Sequence, residues 1–257
     1  MSPASPRELG KAFQDAEVVR NYRHRQPYPS EIFDILERLL VEPRNVLDAG
    51  SGTGALTTGL ARFAERVDAV DPSAAMLQEA RRLPGGDNRR IRWTLGTAET
   101  APLDGPYGLV TAGASIHWMD PERVMPRFRD ALAPGAVLAI VNSESDYGPQ
   151  KWHDELIGVI RAFSPITHHL EFADLMRSLE TSGHFTRTGA RTAAPVPYEQ
   201  SLDDYMAMLA STSSLSRTTL GSHADEFETG ARAIFARHGL TRVRAHLVAE
   251  VVWGRPE

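Results

Sequence analysis

The chain has 257 residues, 42% hydrophobic and 24% charged, with no cysteine and with Lys+Arg 28 against Asp+Glu 33. Those proportions belong to a globular protein; the missing cysteines exclude disulfides, thiol catalysis and thiolate metal sites, and a net charge of -5 argues against a large nucleic-acid footprint, though it leaves room for a local basic groove such as Arg23-His24-Arg25. No apolar run approaches the roughly 18 residues of a membrane span, and residues 1–10 lack the basic start and apolar stretch of a signal peptide, so a cytoplasmic protein is expected.

Taken in chain order, residues 30–40 place Ile32, Phe33, Ile35, Leu36, Leu39 and Leu40 at helical spacing, with Ser30 as the expected cap. Strands follow at 46–49, 67–71, 91–95, 109–113 and 136–142, all close to continuously apolar, as strands covered on both faces are. Helices are expected between them at 56–63, at 74–82 behind Asp71-Pro72-Ser73, and at 121–132, where Pro134-Gly135 ends the last. Residues 149–183 and 202–238 read as helical, separated by a strand at 184–195 and followed by a last strand at 245–253. The pattern predicts an α/β, Rossmann-like doubly wound fold with a mostly parallel seven-stranded sheet. The late helices exceed a minimal sheet and are expected to form a cap or lid. One domain over 1–257 accommodates this, with lid helices at 1–45, a cofactor-binding core at 46–145, cap insertions within 150–240 and the final strand at 245–253. Lys11 and Lys151 are the only lysines among many arginines, a bias expected of a GC-rich bacterial genome.

The most specific motif is Val46-Leu47-Asp48-Ala49-Gly50-Ser51-Gly52-Thr53-Gly54, a buried strand running into a glycine-rich turn. Glycines there let the backbone approach a nucleoside and adopt positive φ. With Ala55 the run also satisfies a looser dinucleotide pattern, and Asp71, at the end of the second strand, can accept ribose hydroxyls from either kind of cofactor. The glycines alone therefore leave both cofactors open.

Asp48 ahead of the glycines, with Gly96-Thr97-Ala98-Glu99 after the third strand, resembles class I S-adenosylmethionine (SAM) dependent methyltransferases. The resemblance is to the small-molecule branch called type 11, near trans-aconitate methyltransferase. Tyr107-Gly108-Leu109-Val110 and Ala114-Ser115-Ile116-His117-Trp118-Met119-Asp120 are similar to that family's fourth strand and His-Trp turn. Gly108 stands where the family usually has aspartate, and a glutamine common ahead of the His-Trp pair has no counterpart.

Tyr22 and Arg25-Gln26-Pro27-Tyr28-Pro29 resemble a family segment that closes over the cofactor, with proline displaced by one place. The resemblance implies SAM as cofactor, held by Tyr22, Arg25, Asp48, Ala49, Gly50, Gly52, Asp71, Pro72, Met76, Ala98, Glu99 and Ala114. It implies a small-molecule acceptor walled by Tyr28, Ser115, His117 and Trp118. Arg25 could pair with the methionine carboxylate and an aromatic ring could face the sulfonium.

Methyl transfer to a small molecule asks the protein to align donor and acceptor and to remove a proton where the acceptor carries one. His117 is the expected base, since a histidine changes charge near neutral pH; a wall residue that shapes the pocket is the equal alternative. No metal is expected: in His168-His169 with Glu171, and in His153 with Asp154 and Glu155, neighbouring side chains diverge and a third ligand at suitable spacing is missing. Trp118, Trp152 and Phe163 read as core or pocket wall. A short-chain reductase would use Tyr147-x-x-x-Lys151 on one helical face, but Gly148-Pro149 lies between them. A SAM-binding enzyme that catalyses another reaction keeps every motif and remains the runner-up.

Overall fold

The computed structural model describes residues 10–164 and 171–257. The apolar runs form β1 (Asn45–Ala49), β2 (Arg66–Asp71), β3 (Ile91–Leu95), β4 (Leu109–Gly113) and β5 (Leu138–Asp146). The later strands are β6 (Phe185–Thr192), β7 (Val196–Ser201) and β8 (Arg242–Pro256). The sheet order is β3-β2-β1-β4-β5-β8-β6, with β7 paired to β8. The strands β1 to β5 run parallel, and β6 and β7 pair antiparallel with β8.

The sheet has eight strands rather than the expected seven. The additional one is β7, which Pro197 disguises; a proline is tolerated at an edge, and the only partner of β7 is β8. The expected cap at Ser30 is corrected too: Pro29 holds the cap position of the helix Ser30–Leu39 and no side chain bonds there. Glu31 instead accepts the Ala194 N–H at 2.8 Å. The helix expected over 56–63 is confined to Thr57–Leu60, because the bonds from Arg62 N to Gly59 O and from Phe63 N to Leu60 O tighten the chain into turns. The helices Ala74–Ala80 and Pro121–Ala131 lie where expected, each opened by a side-chain cap, from Ser73 and Asp120. Lys151–Phe163, Phe172–Thr181, Leu202–Ala210, Arg217–Leu220 and Ala224–Arg237 make up the late helical material. Tyr147 precedes the helix that starts at Lys151, so the two do not share a helical face.

The chain divides into two compact units. The larger comprises Pro27–Glu144, Leu170–Pro195 and Val248–Glu257, as far as these are described. Its neighbouring strand residues part to opposite clusters: Val46, Val67 and Leu109 join one, Leu47, Val70 and Val110 the other. Alternation of this kind covers the sheet on both faces. The smaller unit is drawn from the described residues of Met1–Gln26, Ser145–His169 and Val196–Leu247. Its core joins Trp152, Leu156, Tyr205, Phe227, Ile234 and Phe235. Among the described residues no helix is long and apolar enough to cross a membrane.

Candidate cofactor and acceptor site

The carboxyl ends of β1, β2 and β4 lie side by side in the larger unit. Leaving β1, the chain turns through Gly50, Gly52 and Gly54 at φ of 73°, 55° and 86°, values that L side chains rarely adopt. Close approach adds a second demand at Gly50, where a Cβ would lie 2.5 Å from the Ser115 Cβ. The turn is tied to β2, since Gly50 N and Ser51 N both donate to Val70 O. Ser51 Oγ is buried and has no hydrogen-bond partner among the described residues. A hydroxyl left so in the turn suits a polar ligand.

Asp71 ends β2 and is buried. Its Oδ2 accepts Gly52 N and its Oδ1 accepts Ser73 N, each at 2.8 Å. Burial raises its carboxyl above the ordinary value, and those two N–H donors oppose the rise. Each oxygen keeps a second lone pair, the acceptor that a ribose hydroxyl needs. Asp71→Ala is expected to weaken S-adenosylhomocysteine (SAH) binding about tenfold to a hundredfold, or roughly 1.5–3 kcal/mol, by calorimetry. An unchanged dissociation constant would remove Asp71 from the site.

Asp48 is 1% exposed, and its carboxylate is taken up inside the protein. Oδ2 accepts the Thr57 hydroxyl at 2.5 Å and Oδ1 the Thr111 hydroxyl at 2.9 Å. Burial pushes its carboxyl up to about 6, with the two hydroxyls acting the other way and nearby Asp71 adding to the rise. Asp48 thus braces β1, β4 and the helix after the glycines. Thr57 and Thr111 escape a motif search, although Thr111 carries a signal, a polar residue inside an apolar buried strand.

Beyond β4, Ala114 takes φ 47°, a left-handed conformation that costs a non-glycine residue about 1–2 kcal/mol. Strain of this kind collects at functional sites. It returns Ser115 to β1, where its hydroxyl donates to Ala49 O at 2.7 Å. The turn Ile116–Trp118 then presents His117, exposed and tilted against the Trp118 ring at 4.7 Å. The Tyr28 hydroxyl reaches the same strand end, 2.8 Å from where a Cβ on Gly113 would stand. After β3, Glu99 accepts the Asp120 N–H at 3.0 Å; burial pushes its carboxyl up, but that bond and its neighbours outweigh it and hold it below the usual range. Ala98 and Met76 are buried and Pro72 is exposed.

Tyr22 and Arg25 belong to the smaller unit. There Arg25 stands 4.5 Å over the Tyr22 ring and donates from Nε and Nη2 to the Ser211 hydroxyl and carbonyl, each at 3.0 Å. Among the described residues no group of three His, Asp or Glu is arranged to hold a metal; His168 and His169 lie outside them.

Residues 46–135 match a family model described as a methyltransferase domain. An uncharacterized methyltransferase of Mycobacterium tuberculosis is 37% identical over 166 residues, which cover 63% of this chain and 61% of the relative. Trans-aconitate 2-methyltransferase of Variovorax paradoxus is 36% identical over 168 residues, with the same two shares. The match spans about three fifths of these relatives' length. A solved candidate type II methyltransferase from Anaeromyxobacter dehalogenans superposes with a TM-score of 0.65 at 26% identity, over 91% of this chain and 99% of that one. A SAM-dependent methyltransferase from Thiobacillus denitrificans, solved with SAH, shares the fold at a TM-score of 0.52 and 14% identity, over 93% and 97%. Residues 46–135 are thus similar to a methyltransferase domain, and the fold is the one these solved structures share.

Proposed function

We propose that the protein transfers a methyl group from SAM to an O, N or C atom of a small molecule, in a cytoplasmic bacterial setting. The observation that carries this reading is the cluster at the carboxyl ends of β1, β2 and β4, with three positive-φ glycines, the orphan Ser51 hydroxyl and Asp71 bonded to the turn. The mycobacterial and Variovorax relatives support it. When bound, SAM supplies a methyl group that passes in line from its sulfonium to a lone pair of the acceptor.

The chain's residues have separate tasks. Asp71 takes the ribose hydroxyls, and Ala49, Gly50, Gly52, Pro72, Met76, Ala98, Glu99 and Ala114 line the cofactor. Asp48 acts from below by holding the turn. Tyr22 and Arg25 are assigned to the methionine end of the cofactor. Tyr28, Ser115 and Trp118 wall the acceptor, and His117 accepts its proton.

Incubation with SAM and an acceptor should release SAH. His117→Asn is expected to lower kcat about 10²- to 10⁴-fold and to remove the acidic limb of the pH–rate profile, with SAH affinity unchanged. An unaltered profile would make His117 a wall residue. SAM binding without SAH release from any acceptor would favour the non-methylating reading, and NAD binding without SAM binding would sink both.

A further inference from the structure

The smaller unit contains a cavity of about 510 Å³, lined by Asp146, Tyr147, Tyr198, Glu199, Arg244 and His246 among others. That is within the roughly 300–1,000 Å³ of small-ligand pockets. Its aromatic wall is rigid. The Tyr147 ring meets Trp152 edge-on at 5.5 Å and Tyr205 at 6.0 Å, and His153 lies against it at 4.5 Å with planes 35° apart. Burial raises the phenols of both Tyr147 and Tyr198, so each stays neutral near physiological pH.

The polar groups are uneven in what they leave free. Glu199 is paired with both Arg242 and Arg244, so the cation of this lining is already spoken for. Asp146 uses Oδ1 to accept Gly148 N at 2.8 Å and makes no ion pair among the described residues. A second carboxylate oxygen is therefore left to face a ligand. Glu199, shared by two guanidiniums, and Asp146 together leave the lining close to neutral, so the local carboxylate of Asp146 between the neutral aromatic rings, not a net charge, sets its preference.

From this arrangement we infer that the pocket binds a small planar molecule carrying an amine or another cationic donor, the ring against Tyr147 and Tyr198 and the donor on Asp146. A face of tyrosine attracts a cation, and a carboxylate strengthens the hydrogen bond to it. A carboxylate meets Asp146 as a like charge, and Arg244, the guanidinium of this lining, already holds Glu199. This binding chemistry stands on the pocket alone.

A matched pair of probes tests it on the full chain. Tyramine and 4-hydroxyphenylacetate share a phenol ring and differ in the charge of the side chain. Calorimetry or ligand-observed NMR should find tyramine bound at least about tenfold tighter. Asp146→Asn should erase most of that preference with a melting temperature near that of the parent, because Asp146 is exposed, and Tyr198→Ala, at a half-buried position, should weaken both probes. Equal affinities, a preference for the carboxylate, or an Asp146→Asn variant with the parental preference would overturn the inference. SAH titrated into the same samples reads the other site. SAH binding without tyramine binding removes the pocket and leaves the methyltransferase reading intact; the reverse leaves the pocket and removes that reading.

Discussion

Gly108→Ala is expected to destabilise the protein by about 3 kcal/mol or more, which in a chain of this size lowers the melting temperature by roughly 6–12 °C. A Cβ on Gly108 would stand 1.9 Å from Val41 O and 2.3 Å from Pro43 O. Both atoms are backbone, so no rotamer change relieves the clash. The segment is also bonded in place, Val41 N to Gly108 O and Gly108 N to Asn45 O. This contact accounts for the departure from the family pattern, since an aspartate here would need the preceding segment to run elsewhere. Gly108 immediately precedes β4 and the glycine-turn cluster lies at the other end of that strand, so the variant that does fold should keep its SAH affinity. Chemical denaturation with parallel SAH titration checks both halves, and a loss below about 1 kcal/mol would refute the steric account.

Asp48→Asn is expected to stabilise the protein at neutral pH. Burial holds the folded carboxyl near 6 against an ordinary 3.8, so the fold favours the protonated form. The stability associated with a neutral carboxyl is complete below pH 3.8 and is lost as pH rises through 6. By linkage the loss is about 2 kcal/mol at pH 5 and about 3 kcal/mol at pH 7. Asparagine has nearly the same shape and no charge to lose. Its amide oxygen can accept one threonine hydroxyl and its NH₂ can donate to the other, an exchange that costs about 1 kcal/mol. The net gain is then about 2 kcal/mol at pH 7, and the gap between variant and parent should widen by about 1 kcal/mol from pH 5 to pH 7. Urea denaturation at the two pH values measures that widening. A variant less stable than the parent by the same amount at both would show that Asp48 is ionised throughout in the fold.

Much of the larger unit was legible because a parallel sheet writes itself locally. Each of the first five strands is an apolar run bounded by turns, and β3 and β4 were placed to the residue. Asp71 and the positive-φ glycines were legible for a similar reason: the turn's conformation requires glycine, and position at a strand end requires only counting. The late region was harder. Pro197 hid β7, and Ser30 offered a plausible cap at a position where Pro29 already stands.

Local pattern by itself thus determined the α/β alternation, the glycine turn after β1 and the carboxylate at the end of β2, because backbone geometry selects those residues wherever the chain goes. Only the tertiary structure decided that Asp48 serves Thr57 and Thr111, that Gly108 yields room to Val41 and Pro43, and that Tyr147, Tyr198 and Asp146 line one cavity. Those relations join residues 9 to 67 positions apart, and what a side chain does there depends on which neighbour the sheet order delivers to it.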